Sequence, residues 1–276
     1  MIKMVLLSIW LQAPLNCFEQ PVVQTDFSVS AQGVIRREAL QGVPLASAVV
    51  VADLSASGWL FSSHHTVVRT VLPITAVAGQ RHFEQLFLLA YDPAQQAEQL
   101  LAVRLFQQQA SPWQFHHLRP HLDDASLAAD EAVIAAQWLE LQQAAGWWLP
   151  FAGRAMQLPE LYGGILHLPV VTTSSADDCP EPPLDLVVHF IHLHSGHSIS
   201  PPRELTLTEL TPLQWRLKPQ GEVLALWLHQ AEQAWVLQPE LQQILPDCLD
   251  CTESVSSTAW PKYRPLAHFW LEQGVW

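Results

Sequence analysis

Charge is scarce in this sequence. Charged residues make up 14% of the 276, against about 25% in an average soluble chain. Lysine is nearly absent, with only Lys3, Lys218 and Lys262. Lys plus Arg is 13 against 26 Asp plus Glu, a formal charge of −13. The densest basic spots, Arg36-Arg37 and the pair Lys262 and Arg264, do not form a stripe. This argues against a nucleic-acid backbone as partner, because such binding needs a basic face. Glycine is also scarce, at 11 residues without a triplet repeat, which excludes a collagen-like chain. Neither a GxxxxGK[ST] loop nor a glycine-rich dinucleotide turn occurs. Four cysteines in so long a chain do not make a disulfide framework. Cys17, Cys179, Cys248 and Cys251 read as buried thiols.

Long apolar runs are missing as well. Nothing reaches the roughly 18 consecutive apolar residues of a spanning helix, so no membrane span is expected. The N-terminal stretch has one positive charge and a short apolar run. Gln12 and Pro14 interrupt it, and no small-x-small cleavage site follows. A buried first strand over residues 3–11 fits better than a leader, and a cytoplasmic location is expected.

Apolar material, by contrast, is plentiful at 49% hydrophobic residues. That is enough for a sizeable core and excludes a disordered chain. Strands are expected at residues 3–11, 22–31, 46–54, 59–74 and 184–194. A short strand at 205–210 and a hairpin from 222–229 with 234–238 follow, and a short helix over 239–245. Residues 83–91 fit strand or helix. Two helices stand mid-chain. Residues 94–109 follow Asp92-Pro93, with Ala97, Leu101 and Leu105 stepping by four; residues 124–145 carry Leu127, Ile134, Trp138 and Leu141 on one stripe. Turn composition at 172–183 suggests a linker or long loop. The expected fold class is α+β, with mostly antiparallel sheet and the two main helices. The expected organisation is an α+β domain at 1–171 and a smaller β-rich domain at 184–276 with an irregular C-terminal segment.

Several clusters could carry chemistry. His189-Phe-Ile-His192-Leu-His194-Ser195-Gly196-His197 is the most informative. On a strand His192 and His194 share a face, and two imidazoles at that spacing can ligate one Zn, Fe, Ni or Cu ion. His197 could join from the turn, making a candidate site for a divalent metal. His192-Leu-His194-Ser195-Gly-His-Ser198 resembles the first metal motif of the PHP phosphoesterase family, His-x-His-Ser-x-x-Ser-Asp-Gly. The resemblance implies a metal-dependent phosphoesterase. It departs at Ile199-Ser200, where the family has Asp-Gly. Cys248-Leu-Asp-Cys251 is a single CxxC without the second pair of a structural zinc site. His117, His121, Asp123 and Asp124 form a group that could ligate metal or act as acid and base, or simply cap the helix that follows.

The twelve tryptophans are the oddest feature of the composition. Tryptophan is enriched at interface hot spots. Trp147, Trp148 and Phe151, with Trp260, Tyr263, Trp270 and Trp276 in the tail, are therefore candidate partner-binding residues. The reading these features favour is a non-catalytic accessory or structural subunit that meets other protein subunits through Trp- and Pro-rich loops. A metal-dependent hydrolase built on His192 and His194, and a binder of small ligands or carbohydrate, are the alternatives.

Overall fold

The computed structural model describes residues 26–73, 80–106, 110–122, 136–137, 139–141, 143–162, 164–172, 183–209, 211–220, 223–230 and 233–237. Among the described residues seventeen strands run in chain order: β1 Phe27–Val29, β2 Val34–Leu40, β3 Val43–Asp53, β4 Leu60–Pro73, β5 Gln80–Asp92, β6 Ala97–Leu105, β7 Trp113–Gln114, β8 Leu118–Pro120 and β9 Gly146–Phe151. There follow β10 Arg154–Ala155, β11 Glu160–Tyr162, β12 Ile165–Val171, β13 Leu184–His192, β14 Ser198–Leu207, β15 Gln214–Gln220, β16 Val223–Gln230 and β17 Gln233–Leu237.

The strands form four sheets, ordered β1-β2-β3-β7, β4-β5-β6-β9-β8, β10-β12-β13-β14 with β11 also on β12, and β15-β16-β17. Pairing is antiparallel except for β3 with β7 and β8 with β9. Three hydrophobic clusters show how the sheets stack. Ile35 and Val51 of the first sheet, with Leu54 just after β3, meet Leu86, Leu88, Leu101 and Val103 of the second. The other face of the second sheet, with Phe87, Leu89, Leu100 and Trp147, meets Leu166, Leu168 and Ile191 of the third. The third sheet's far face, with Leu186, Val188 and Phe190, meets Leu213, Leu228 and Leu237 at the fourth. The sheets form a four-layer stack. Its two inner layers are covered on both faces, which explains their unbroken apolar runs.

The fold is mostly β, 67% strand and 7% helical, so the expected α+β class with two main helices is overturned. Residues 94–109 supply the clearest correction, since β6 occupies most of them. Positions 97, 101 and 105 lie four apart, but four is also an even number, and a strand with both faces buried needs no polar alternation. Asp92 does cap, but it caps a hairpin turn. Its carboxylate accepts from Ala94 N at 2.9 Å and Gln95 N at 3.3 Å. Gln96 at φ 53° turns the chain back into β6, where Asp92 pairs with Ala97. Of the expected 124–145 helix, residues 136–137, 139–141 and 143 are helical.

The strands expected over 46–54 and 59–74 are found as β3, Val43–Asp53, and β4, Leu60–Pro73. The 184–194 strand and the 222–238 hairpin are found as β13 and β16–β17. The first-strand segment 3–11 and the 239–245 helix lie outside the described residues. The 172–183 stretch connects β12 and β13, which pair from Ile165↔His192 to Val171↔Leu186. Among the described residues no helix is long and apolar enough to cross a membrane.

Candidate functional site

The histidine cluster sits in the turn between β13 and β14, where the third layer meets the second. Its backbone closes on itself, with His192 N donating to His197 O at 2.9 Å and Gly196 N to His192 O at 3.0 Å. Gly196 has φ 73°. A Cβ there would stand 2.6 Å from the Trp147 ring, so both the backbone and the close approach require glycine.

The second layer holds this turn by its carbonyls. Gln85 Nε2 of β5 donates to Leu193 O at 3.3 Å, and Trp147 Nε1 of β9 donates to the same oxygen at 3.1 Å. Arg104 of β6 donates from Nη2 to His194 O at 2.9 Å. Its Nη1 reaches Leu141 O and, at 3.3 Å, Ala144 O. Leu122 N adds a bond to Ser195 O at 3.1 Å. Arg104 is a buried cation whose charge is met by carbonyl dipoles, some of them at the end of a helical segment where the macrodipole is negative. Burial lowers its pKa to about 10.

The side chains form a second network. Ser195 Oγ lies 2.7 Å from both His192 Nδ1 and His197 Nδ1. One hydroxyl proton serves two imidazoles, so Oγ donates to one ring and accepts an Nδ1–H from the other. The ring that accepts must be neutral, and burial disfavours charge on both. Burial, reinforced by the neighbouring rings, pulls His192 well below its ordinary value. Burial, then His121, brings His197 to about 4. Burial, then Arg104, brings His194 to about 3.

A serine between two imidazoles has the parts of an activated nucleophile. Here Ser195 is fully buried, at 0% exposure, and the turn is packed against Trp147, so no substrate can approach Oγ. The His192 ring lies 5.1 Å from that of His197 and 5.9 Å from that of His194, but His192 and His197 commit Nδ1 to Ser195, and the His194 ring lies edge-on to Phe83, 6.4 Å away. Among the described residues no group of three or more His, Cys, Asp or Glu is placed to hold a metal ion. The expected site at His192, His194 and His197 is a cluster in space, but its geometry is that of a hydrogen-bonded interlock between layers.

The chain matches no family model, no curated protein and no solved structure.

The aromatic candidates divide. Trp147, at 0% exposure, and Phe151, at 7%, belong to the core between the second and third layers, because 146–151 is strand β9 and not a loop. Trp148 points to the opposite face, half-buried and edge-on to Trp59 at 5.5 Å. Trp260, Tyr263, Trp270, Trp276, Cys248 and Cys251 lie outside the described residues, as do Asp123 and Asp124. His117 Nδ1 accepts from Gln114 N at 2.9 Å, closing a short turn.

A surface that sequence reasoning missed lies at the edge of the first layer. β3 pairs with β2 on one side, and with β7 on the other only at Ala52 and Asp53. From Val43 to Val50 its outer edge meets no other strand among the described residues. Three of the five large exposed hydrophobics are here: Val43 at 66%, Val49 at 52% and Leu40 at 41%. A groove of about 340 Å³ runs beside them, lined by Leu45, Val50, Phe106 and Pro112. No charged residue falls between Val43 and Ala52. That uncharged run was the available signal, since natural edges are usually guarded by charge.

Proposed function

We propose that the protein is a non-catalytic accessory subunit of a larger protein assembly. It takes an extended, apolar strand of a partner against β3. The observation that carries this reading is the β3 edge, which among the described residues pairs with no strand on its outer side from Val43 to Val50 and has apolar side chains beside it. Strand addition uses those two elements, main-chain bonds for affinity and side-chain pockets for choice of partner. The contact surface thus differs from the Trp147–Phe151 segment, whose indole at position 147 is occupied in the core. On this reading the protein works in the cytoplasm among other protein subunits.

The test is co-purification from the native source, with partners identified by mass spectrometry. A V43K/V49K variant, which places two charges on the edge, should lose a partner that the wild-type chain retains. Its circular dichroism and unfolding midpoint should stay unchanged. Recovery of the same partners by the variant would refute the reading.

A further inference from the structure

We infer that the outer face of the fourth sheet is a docking site for an acidic, extended segment of a partner protein. This face lies at the opposite end of the stack from the β3 edge. The two surfaces are independent, and one subunit can bridge two partners.

Strand register assigns the two faces of this sheet. Trp215, Leu228 and Trp235 stand opposite one another and turn inward, Leu228 into the core and both indoles against it. Arg216, Trp227 and Val236 form the next row and therefore turn outward. Lys218 and His229, each two residues further on, share that outer face. Lys218 Nζ lies 5.3 Å from the centroid of the Trp227 ring, and the His229 ring stacks against the same indole at 6.2 Å. Arg216 is exposed, and its Nη2 donates to Gln214 Oε1 at 2.8 Å, which holds the guanidinium on this face. Burial, then the charges of Lys218 and Arg216, lowers the pKa of His229, so at neutral pH the two cations alone carry the charge.

Charge complementarity names the occupant. Acidic residues outnumber basic ones in the chain, 26 against 13, yet β15, β16 and β17 contain Arg216 and Lys218 and no carboxylate side chain. Neither cation forms an ion pair with a described residue. They stand two residues apart on one strand, about 7 Å. An extended segment with glutamates at alternate positions repeats its carboxylates at that spacing. The methylene stems of those glutamates have the Trp227 indole to cover, and tryptophan beside arginine is the pairing that interface hot spots favour. A nucleic-acid backbone fits less well, because it needs a stripe of cations and meets here two, on a chain of net charge −13.

Fluorescence anisotropy with the full-length chain tests the inference. The probe is a short fluorescein-labelled peptide in which Glu alternates with Thr. A twin with Gln in place of Glu and a labelled oligothymidine are the comparisons. The Glu peptide should bind about tenfold more tightly than its twin, and R216Q/K218Q should lose the same factor while its circular dichroism stays unchanged. Raising the salt from about 20 to about 200 mM should weaken the Glu peptide by a similar factor. R216E/K218E should reverse the preference and take a peptide of alternating Lys and Thr, a rescue that a merely structural role of the two cations would not give. A Glu peptide that stays free at about 1 mM chain would overturn the inference. So would equal affinity for the two peptides, or binding that R216Q/K218Q leaves unchanged. Tighter binding of the oligothymidine would overturn it by naming nucleic acid as the occupant. Self-association of the free chain, abolished in R216Q/K218Q, would overturn it by naming a second copy.

Discussion

Acidification should test the buried imidazoles, and the expected effect is legible only once two carboxyl groups are silenced. His194 is held at about 3, His197 at about 4 and His167 at about 4, mainly by burial, against 6.5 for an unfolded ring. Between those values and 6.5 the unfolded chain binds more protons than the folded one. Stability is therefore full above pH 6.5 and falls as the pH drops below it. At pH 5 each ring contributes a loss of about 2 kcal/mol, about 6 kcal/mol for the three. His192 is lowered in the same sense. Glu98 and Glu160 act in the opposite direction. Burial raises both to about 7 from 4.5, so the folded chain binds their protons first. Their contribution is full below pH 4.5 and is lost as the pH rises through 7. Between pH 8 and pH 5 they return about 2.5 kcal/mol each, about 5 kcal/mol together. In the native chain the numbered terms nearly cancel. In E98Q/E160Q, whose amides imitate the neutral acids, the histidine loss stands alone. About 6 kcal/mol is a large part of the 5–15 kcal/mol that holds an ordinary domain. Urea unfolding followed by tryptophan fluorescence at pH 8, 6.5 and 5 gives the three stabilities. A variant whose stability changes by less than about 1 kcal/mol from pH 8 to pH 5 would refute the reasoning.

Three substitutions follow from the same region. R104M removes the donor of three carbonyls while leaving the volume filled, and should cost about 3 kcal/mol in urea unfolding at pH 8. S195A leaves the Nδ1 atoms of His192 and His197 without their shared partner; a loss of about 2 kcal/mol at pH 8 is expected by the same assay. G196A forces a side chain into a left-handed backbone and into the fully buried Trp147 ring. It should lower stability by about 3 kcal/mol and shift the near-ultraviolet tryptophan signal, and a variant as stable as wild type would show that the turn is looser than described.

The sequence revealed strands best where one face stays polar or a turn is unambiguous. The β16–β17 hairpin and the β13 strand were legible for that reason. β6 was not, because burial on both sides erases the alternation that separates strand from helix, and Asp92 caps a turn with the same chemistry it would use on a helix. The histidines were legible as a cluster, since four of them fall within nine residues, His189 to His197. Their role was not, because the groups that define it lie far away in sequence: Gln85, Arg104 and Trp147 meet the turn only when β5, β6 and β9 are assembled. Adjacent Trp147 and Trp148 enter two different cores, a distinction that composition cannot make. The β3 edge went unread because a missing neighbour is a property of topology.

The two inner layers also bear on how the molecule comes apart. A sheet covered on both faces shares every strand between two cores, so Leu100 and Leu101, successive residues of β6, belong to different clusters. Damage to β6 is felt in both directions at once, whereas a change in β1 or β17 touches one core. Local opening should therefore begin at the outer sheets and stop at the inner pair, which can open only when the whole stack does. The histidine turn and Arg104 lie across the boundary between those two inner sheets. They are the joint that separates last, and protonating that joint converts peeling from the outside into a split down the middle.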